Sequence, residues 1–64
     1  MKVLLERVVQ YSPDRLGRIR KRWHLGGFKD YVVERLVWGA WKCSPNGPWD
    51  YLSNARRDLR GLVK

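Results

Sequence analysis

The sequence predicts an all-α fold, a compact domain of three to four helices with a helix-turn-helix-like arrangement. Turn signals at residues 12–13, 26–27 and 44–48 divide the chain into four segments. The second and fourth segments space their apolar residues as helices do, and each opens with residues that favour a helix start. The alternative is an α+β fold with an N-terminal β-strand, because the first segment also alternates as a strand does.

The first segment, residues 2–11, is compatible with two structures. Leucine and valine recur at i, i+1, i+4 and i+5 from Leu4, which is helical spacing. Apolar residues also alternate between Val3 and Tyr11, and the valines favour a strand. We prefer a helix here and leave the strand open.

The second segment, residues 12–27, is predicted to form an amphipathic helix. A serine and a proline stand at its start, where they favour a cap and a first helical turn, and two glycines end it. Leu16, Ile19 and Trp23 recur at three- and four-residue spacing, so they would share the apolar face of this helix.

The third segment, residues 28–43, is apolar almost all round when it is placed on a helical wheel. A helix of that kind is usually central and packs on more than one side. Its valines and aromatic residues also suit a strand, but sixteen residues without a turn signal is long for one. The pattern therefore predicts a central helix.

The fourth segment, residues 44–64, has the clearest helical pattern. Pro48 stands where a first helical residue would, and Asp50 follows it in the first turn. Leucines and an alanine then recur at helical spacing to form an apolar face. The predicted core comprises Leu16, Ile19, Leu36, Leu52 and Leu59.

Length and composition predict one small basic domain over residues 1–64. The single cysteine, Cys43, cannot close an intramolecular disulfide, and no Cys and His set has zinc-ligand spacing. No membrane span or signal peptide is visible, so we expect a soluble, intracellular and cytoplasmic protein without a cofactor. Packing alone, or packing helped by a partner, must then stabilise the fold.

Charge is the strongest global signal. Fourteen Lys and Arg residues against six Asp and Glu residues leave a net charge of +8, and the pI is near 10.4. Such a balance is typical of a protein that binds nucleic acid, and it also fits an acidic protein partner. Nine of the cations are arginines, whose planar fork suits phosphate groups and guanine edges.

The basic residues concentrate in the stretch RLGRIRKRW, residues 15–23. On the predicted helix several of them point away from the apolar face, whereas Arg20 lies near its edge and would form an internal salt bridge. Others follow on one flank of the fourth segment. The residues predicted to bind nucleic acid, either DNA or RNA, are Arg15, Arg18, Lys21, Arg22, Arg57 and Arg60.

Catalysis has little support in the sequence. His24 is the only histidine, and no nucleophile motif, Gly-rich phosphate loop or metal-binding cluster is present. We therefore expect a non-catalytic nucleic-acid-binding protein with a regulatory or accessory role.

The aromatic residues support an alternative function. A helical third segment would leave Tyr31, Trp38 and Trp41 outside the apolar stripe, and exposed Trp and Tyr side chains often dominate protein interfaces. The chain would then be a small protein-binding modulator, for example a phage-encoded inhibitor of a host complex. An acidic partner or a second copy of the chain would suit its charge and its aromatic residues.

Overall fold

An antiparallel sheet of four strands occupies most of the chain, and one helix follows it. The structure, a computed structural model, describes residues 3–62. The elements are β1 (Val3–Tyr11), β2 (Gly17–His24), β3 (Lys29–Val37), β4 (Ala40–Cys43) and α1 (Leu52–Leu62). The all-α prediction is therefore wrong. The strand alternative for the first segment is confirmed, but the second and third segments also form strands.

The strands pair in the order β1-β2-β3-β4, so each one forms a hairpin with the next. In the centre of the sheet Ile19 of β2 lies opposite Val33 of β3. β1 is an edge strand, and its pairing with β2 shifts register around Leu4 and again around Val9. Turns connect the strands at residues 12–16 and 25–28, where the sequence predicts them.

β2 forms a strand because its two faces contact different groups, the hydrophobic core on one face and carboxylates on the other. Ile19 and Trp23, which suggest a helix by their spacing of four, also share one face of a strand, whose side chains repeat every two residues. The arginines between them fall on the other face, where Arg22 lies opposite Glu6 of β1 and Asp30 of β3. Ser12 does not cap a helix, because its hydroxyl accepts a hydrogen bond from the amide of Gly17 and so closes the β1–β2 turn at 3.0 Å.

The third segment is divided by a turn that the sequence analysis missed. Trp38 and Gly39 have φ angles of 53° and 79°, and Val37 pairs with Ala40 across them. Positive φ at both central residues is the mark of a two-residue type I′ hairpin turn, for which Asn-Gly and Asp-Gly are the usual sequences. Because Trp38 stands where Asn or Asp is usual, the sequence does not indicate this turn.

The hydrophobic core lies between the sheet and α1. Ile19 and Val33 from the sheet meet Ala55 and Leu59 from the helix, and all four are almost completely buried. The burial of Ile19 with Leu59 confirms that part of the predicted core, and Leu52 packs at its margin.

Two residues of the predicted core lie elsewhere. Leu16 is 47% exposed in the β1–β2 turn. Leu36 is half-buried and lies opposite Trp41 on the face of the sheet that α1 does not cover. Both assignments relied on helical wheels. That of Leu16 fails because the residue lies in a turn before β2 begins, and that of Leu36 fails because a strand directs alternate residues to opposite faces.

The helix begins later than predicted, at Leu52 instead of Pro48. Trp49 exchanges two backbone hydrogen bonds of 2.8 Å with Tyr31, which holds the chain extended along β3 before the helix can start. The peptide bond between Gly47 and Pro48 is cis. Within residues 3–62, no helix is long and apolar enough to cross a membrane.

Candidate nucleic-acid interface

The face of the sheet opposite α1, here called the open face, has no element of residues 3–62 packed on it. Arg18, Arg20 and Arg22 follow one another along β2 on this face, and we call them the arginine row. Because they alternate with residues that point toward the helix, successive arginines are about 6.8 Å apart, twice the rise of a strand residue.

Glu34 of β3 supports two members of the row. Its carboxylate is buried, and its Oε1 accepts a hydrogen bond of 2.7 Å from Arg18 Nε. Arg20 Nε lies 3.1 Å from the same oxygen, as an ion pair without hydrogen-bond alignment. Arg20 also reaches Glu6 of β1 through Nη2, at 3.5 Å. One buried carboxylate therefore positions two guanidinium groups.

Asp30 of β3 supports the third arginine. Arg22 donates from Nε to Oδ1 at 2.9 Å and from Nη2 to Oδ2 at 2.8 Å, which is a bidentate pair. His24 Nε2 lies 3.1 Å from Oδ2. The hydrogen bonds from Arg22 hold the pKa of the Asp30 carboxyl below its usual value, and the contact with His24 lowers this pKa further.

This pKa shift makes part of the stability depend on pH. Because the Asp30 pKa is lower in the folded chain than in the unfolded chain, ionised Asp30 stabilises the fold above about pH 4, and this contribution is lost as the pH falls through the folded-state pKa. We expect Asp30→Asn to lose stability less steeply than the parent between pH 4 and pH 2. Urea unfolding at several pH values measures this slope. Asp50→Asn is the control, and an unchanged slope in Asp30→Asn would contradict the prediction.

Aromatic rings extend the open face at two points. The guanidinium carbon of Arg18 lies 3.9 Å from the centre of a ring of Trp41, which β4 places on this face. Tyr11, at the end of β1, lies opposite Arg18 in the register, and Arg15 from the following turn is 5.4 Å from the centre of its ring. Arg15 therefore lies at one end of the open face.

The structure divides the predicted nucleic-acid-binding residues between two sides of the sheet. Arg18 and Arg22 belong to the arginine row, and Arg15 lies beside it. Lys21 lies on the helix side, because it alternates along β2 with the arginines of the row. Its amine is 4.8 Å from the centre of a ring of Trp23. The remaining two, Arg57 and Arg60, are exposed on α1.

Sequence reasoning missed Arg20 as a member of this surface. Its predicted salt bridge exists, with Glu6 and Glu34, but the two other arginines of the row also form ion pairs. The signal that could have identified all three is the alternation of arginine with other residues from Arg18 to Arg22, which is strand spacing.

The aromatic residues predicted to form a protein interface do not lie together. Trp38 is fully exposed at the β3–β4 turn, and Trp41 is half-buried on the open face. Tyr31 packs against the core on the helix side. Of the three, only Trp38 presents its whole side chain to solvent.

A second basic surface lies on the helix side. A groove of about 370 Å³ separates β1 from α1, and it is lined by Gln10, Ser53, Arg56 and Arg60. Arg56 Nε donates a hydrogen bond of 2.9 Å to the Gln10 side chain. Among residues 3–62 no acidic residue lines this groove, so its charge differs from that of the open face, where each arginine of the row has a carboxylate partner.

Comparison with protein-family models, with curated proteins and with solved structures finds no match to the chain.

Proposed function

We propose that the chain is a non-catalytic regulatory or accessory protein that binds double-stranded DNA through the open face of its sheet. The observation that carries this proposal is the arginine row on an uncovered sheet surface. Its spacing of about 6.8 Å equals two nucleotide steps of roughly 3.4 Å measured along the axis of B-form DNA. Successive arginines can therefore meet every second nucleotide.

The acidic partners orient the arginines without using all their donors. Glu34 contacts the Nε atoms of Arg18 and Arg20. Asp30 accepts hydrogen bonds from Nε and one terminal nitrogen of Arg22. Each guanidinium therefore keeps at least one terminal nitrogen for a ligand. Side chains that are already oriented lose less conformational entropy on binding, so such support favours affinity.

The shape of the open face favours DNA over RNA. The major groove of B-form DNA is about 12 Å wide and admits a two-stranded β-ribbon, whereas the major groove of A-form RNA is too deep and narrow for side chains to read. β1 and β2 are the pair at one edge of the sheet, and their backbones are about 4.8 Å apart, so this pair fits within the width of the DNA major groove.

Binding to a short B-form duplex, followed by fluorescence anisotropy and by NMR, tests the proposal. We expect affinity to fall with salt, with a log–log slope of roughly −2 to −4 for two to four phosphate contacts. Trp41 and Trp49 provide a matched pair of indole signals, because Trp41 lies on the open face whereas Trp49 donates to Asp58 of α1 at 2.9 Å. The Trp41 signal should shift on binding and the Trp49 signal should not. The absence of binding, or a shift of the Trp49 signal alone, would refute the proposal.

Two variants that each add one unit of positive charge locate the binding surface. Glu6→Gln removes an exposed carboxylate beside Arg20, and Ser53→Lys adds a cation beside the groove on the helix side. We expect Glu6→Gln to tighten DNA binding about 3- to 10-fold at low salt, since an exposed charge at contact distance is worth roughly 1 kcal/mol. Ser53→Lys should have a much smaller effect. The opposite order would assign binding to the helix side.

A second candidate function is that of a protein-binding modulator, and the full exposure of Trp38 favours it. A tryptophan at the tip of a hairpin is a typical anchor at a protein interface. The groove on the helix side, whose lining includes Arg56 and Arg60, offers positive charge to an acidic partner. Capture of cellular material with and without nuclease distinguishes the two functions. Loss of the captured material on nuclease treatment supports nucleic-acid binding, whereas a nuclease-resistant protein whose capture requires Trp38 supports the alternative.

A further inference from the structure

We infer that Arg18 reads a guanine base, so that the chain prefers DNA sites with a G·C pair at one fixed position. The inference rests on the proposed function and adds sequence selectivity to it. It follows from a difference among the three arginines of the row in the donors that the protein leaves free.

Arg18 alone in the row keeps both terminal nitrogens unengaged. Its hydrogen bond to Glu34 uses Nε, and neither Nη group bonds to another residue within the described range 3–62. Arg22 engages Nη2 with Asp30, and Arg20 engages Nη2 with Glu6. Both terminal nitrogens of Arg18 therefore keep all their N–H donors, so a bidentate contact through them requires no rearrangement. Arg20 and Arg22 each keep a second N–H on Nη2, but within residues 3–62 Arg18 is the one member of the row that also stacks on an aromatic ring.

Guanine is the base that matches such a pair of donors. It presents two acceptors, N7 and O6, in the major groove, and the bidentate contact of arginine with them is the commonest specific contact between protein and DNA. Phosphate oxygens could also accept from Arg18, but contacts with phosphate do not discriminate between sequences. Whether Arg18 contacts guanine or phosphate depends on where the protein holds its guanidinium group.

Two contacts fix the Arg18 guanidinium in place. The ring of Trp41 lies 3.9 Å from its central carbon, and the buried Glu34 carboxylate holds its Nε at 2.7 Å. The side chain is only 17% exposed, so the plane of the group is held by the protein. β2 belongs to the edge pair β1–β2 that fits the major groove, so its side chains on the open face are directed toward the base edges when the pair is bound there.

The first test is selection of binding sites from a pool of duplexes with randomised sequence, using the intact chain. We expect the selected sites to share a G·C pair. Replacing that guanine with 7-deazaguanine removes the N7 acceptor and should weaken binding by about 5-fold or more. This measurement uses the parent protein, so it does not depend on the folding of any variant.

Variants then identify the arginine responsible. Arg18→Met keeps a long unbranched side chain but removes every N–H donor, so it should bind the guanine and 7-deazaguanine duplexes equally. Arg22→Met is the matched control and should remain sensitive to the modified base. Circular dichroism checks that both variants fold.

Each other outcome has a definite consequence. Duplex binding without a preferred guanine, or without an effect of 7-deazaguanine in the parent, would overturn the inference and leave the proposed function intact. Loss of the 7-deazaguanine effect in Arg22→Met but not in Arg18→Met would also overturn it. A failure to bind any duplex would overturn both proposals.

Discussion

Leu59→Ala is expected to leave the domain largely unfolded at 25 °C. Leu59 is 2% exposed and packs from α1 against Ile19, Val33 and Ala55, which together form the buried cluster. Loss of a buried leucine side chain costs about 2–5 kcal/mol, because its transfer from water is lost and a cavity remains. At about 0.05–0.15 kcal/mol per residue, a chain of this length has a total stability of roughly 3–10 kcal/mol, so the loss is comparable to the whole.

Thermal and urea unfolding followed by far-ultraviolet circular dichroism measure this effect. Arg57→Ala is the matched control, because Arg57 lies exposed on the same helix and its replacement should change stability by no more than about 0.5 kcal/mol. If Leu59→Ala melted at the temperature of the parent, the contact of α1 with the sheet would not stabilise the fold.

Glu34→Gln is expected to destabilise the domain by about 2–3 kcal/mol. Breaking a buried ion pair costs about 3–5 kcal/mol, since it leaves a charge without its partner, and the value here is smaller because the arginine heads retain contact with water. Glu34 is 5% exposed and serves Arg18 and Arg20 together. Its amide analogue cannot balance either charge.

The control for this variant is Glu6→Gln, which removes a carboxylate of the same chemistry from the same face. Glu6 is exposed and its contact with Arg20 is long, at 3.5 Å, so its loss should cost no more than about 1 kcal/mol. Urea unfolding of the two variants side by side gives the comparison. Equal stability of the two variants would show that the burial of Glu34 adds nothing to its ion pairs.

The sequence predicts the positions of three turns better than it predicts whether the segments between them are helices or strands. The three turn regions lie where glycine, proline and serine mark them, and the C-terminal helix follows the last of them. The second segment is misassigned because a spacing of four residues, as between Ile19 and Trp23, fits both a helix and a strand. In the third segment Val32, on the open face, is 7% exposed opposite Arg20, so buried apolar residues of β3 lie on both of its faces and the strand does not show a simple alternation.

The candidate site could be predicted only in part for the same reason. Arg18 and Arg22 are four residues apart, so a helix and a strand both place them on one side. Lys21 and Arg20 exchange sides when the period changes from 3.6 to 2. The separation of Arg57 and Arg60 from the row depends on which face of the sheet the helix covers, and tertiary packing, not local spacing, decides this.

α1 follows all four strands along the chain, and this order has a consequence for biosynthesis. A ribosome releases residues from the N-terminus onward, so the three hairpins emerge before the helix that supplies Ala55 and Leu59. Until then Ile19 and Val33 have no cover, and a nascent sheet of this kind is prone to nonspecific association. The domain therefore reaches its cooperative native state only when residues 52–62 have left the exit tunnel.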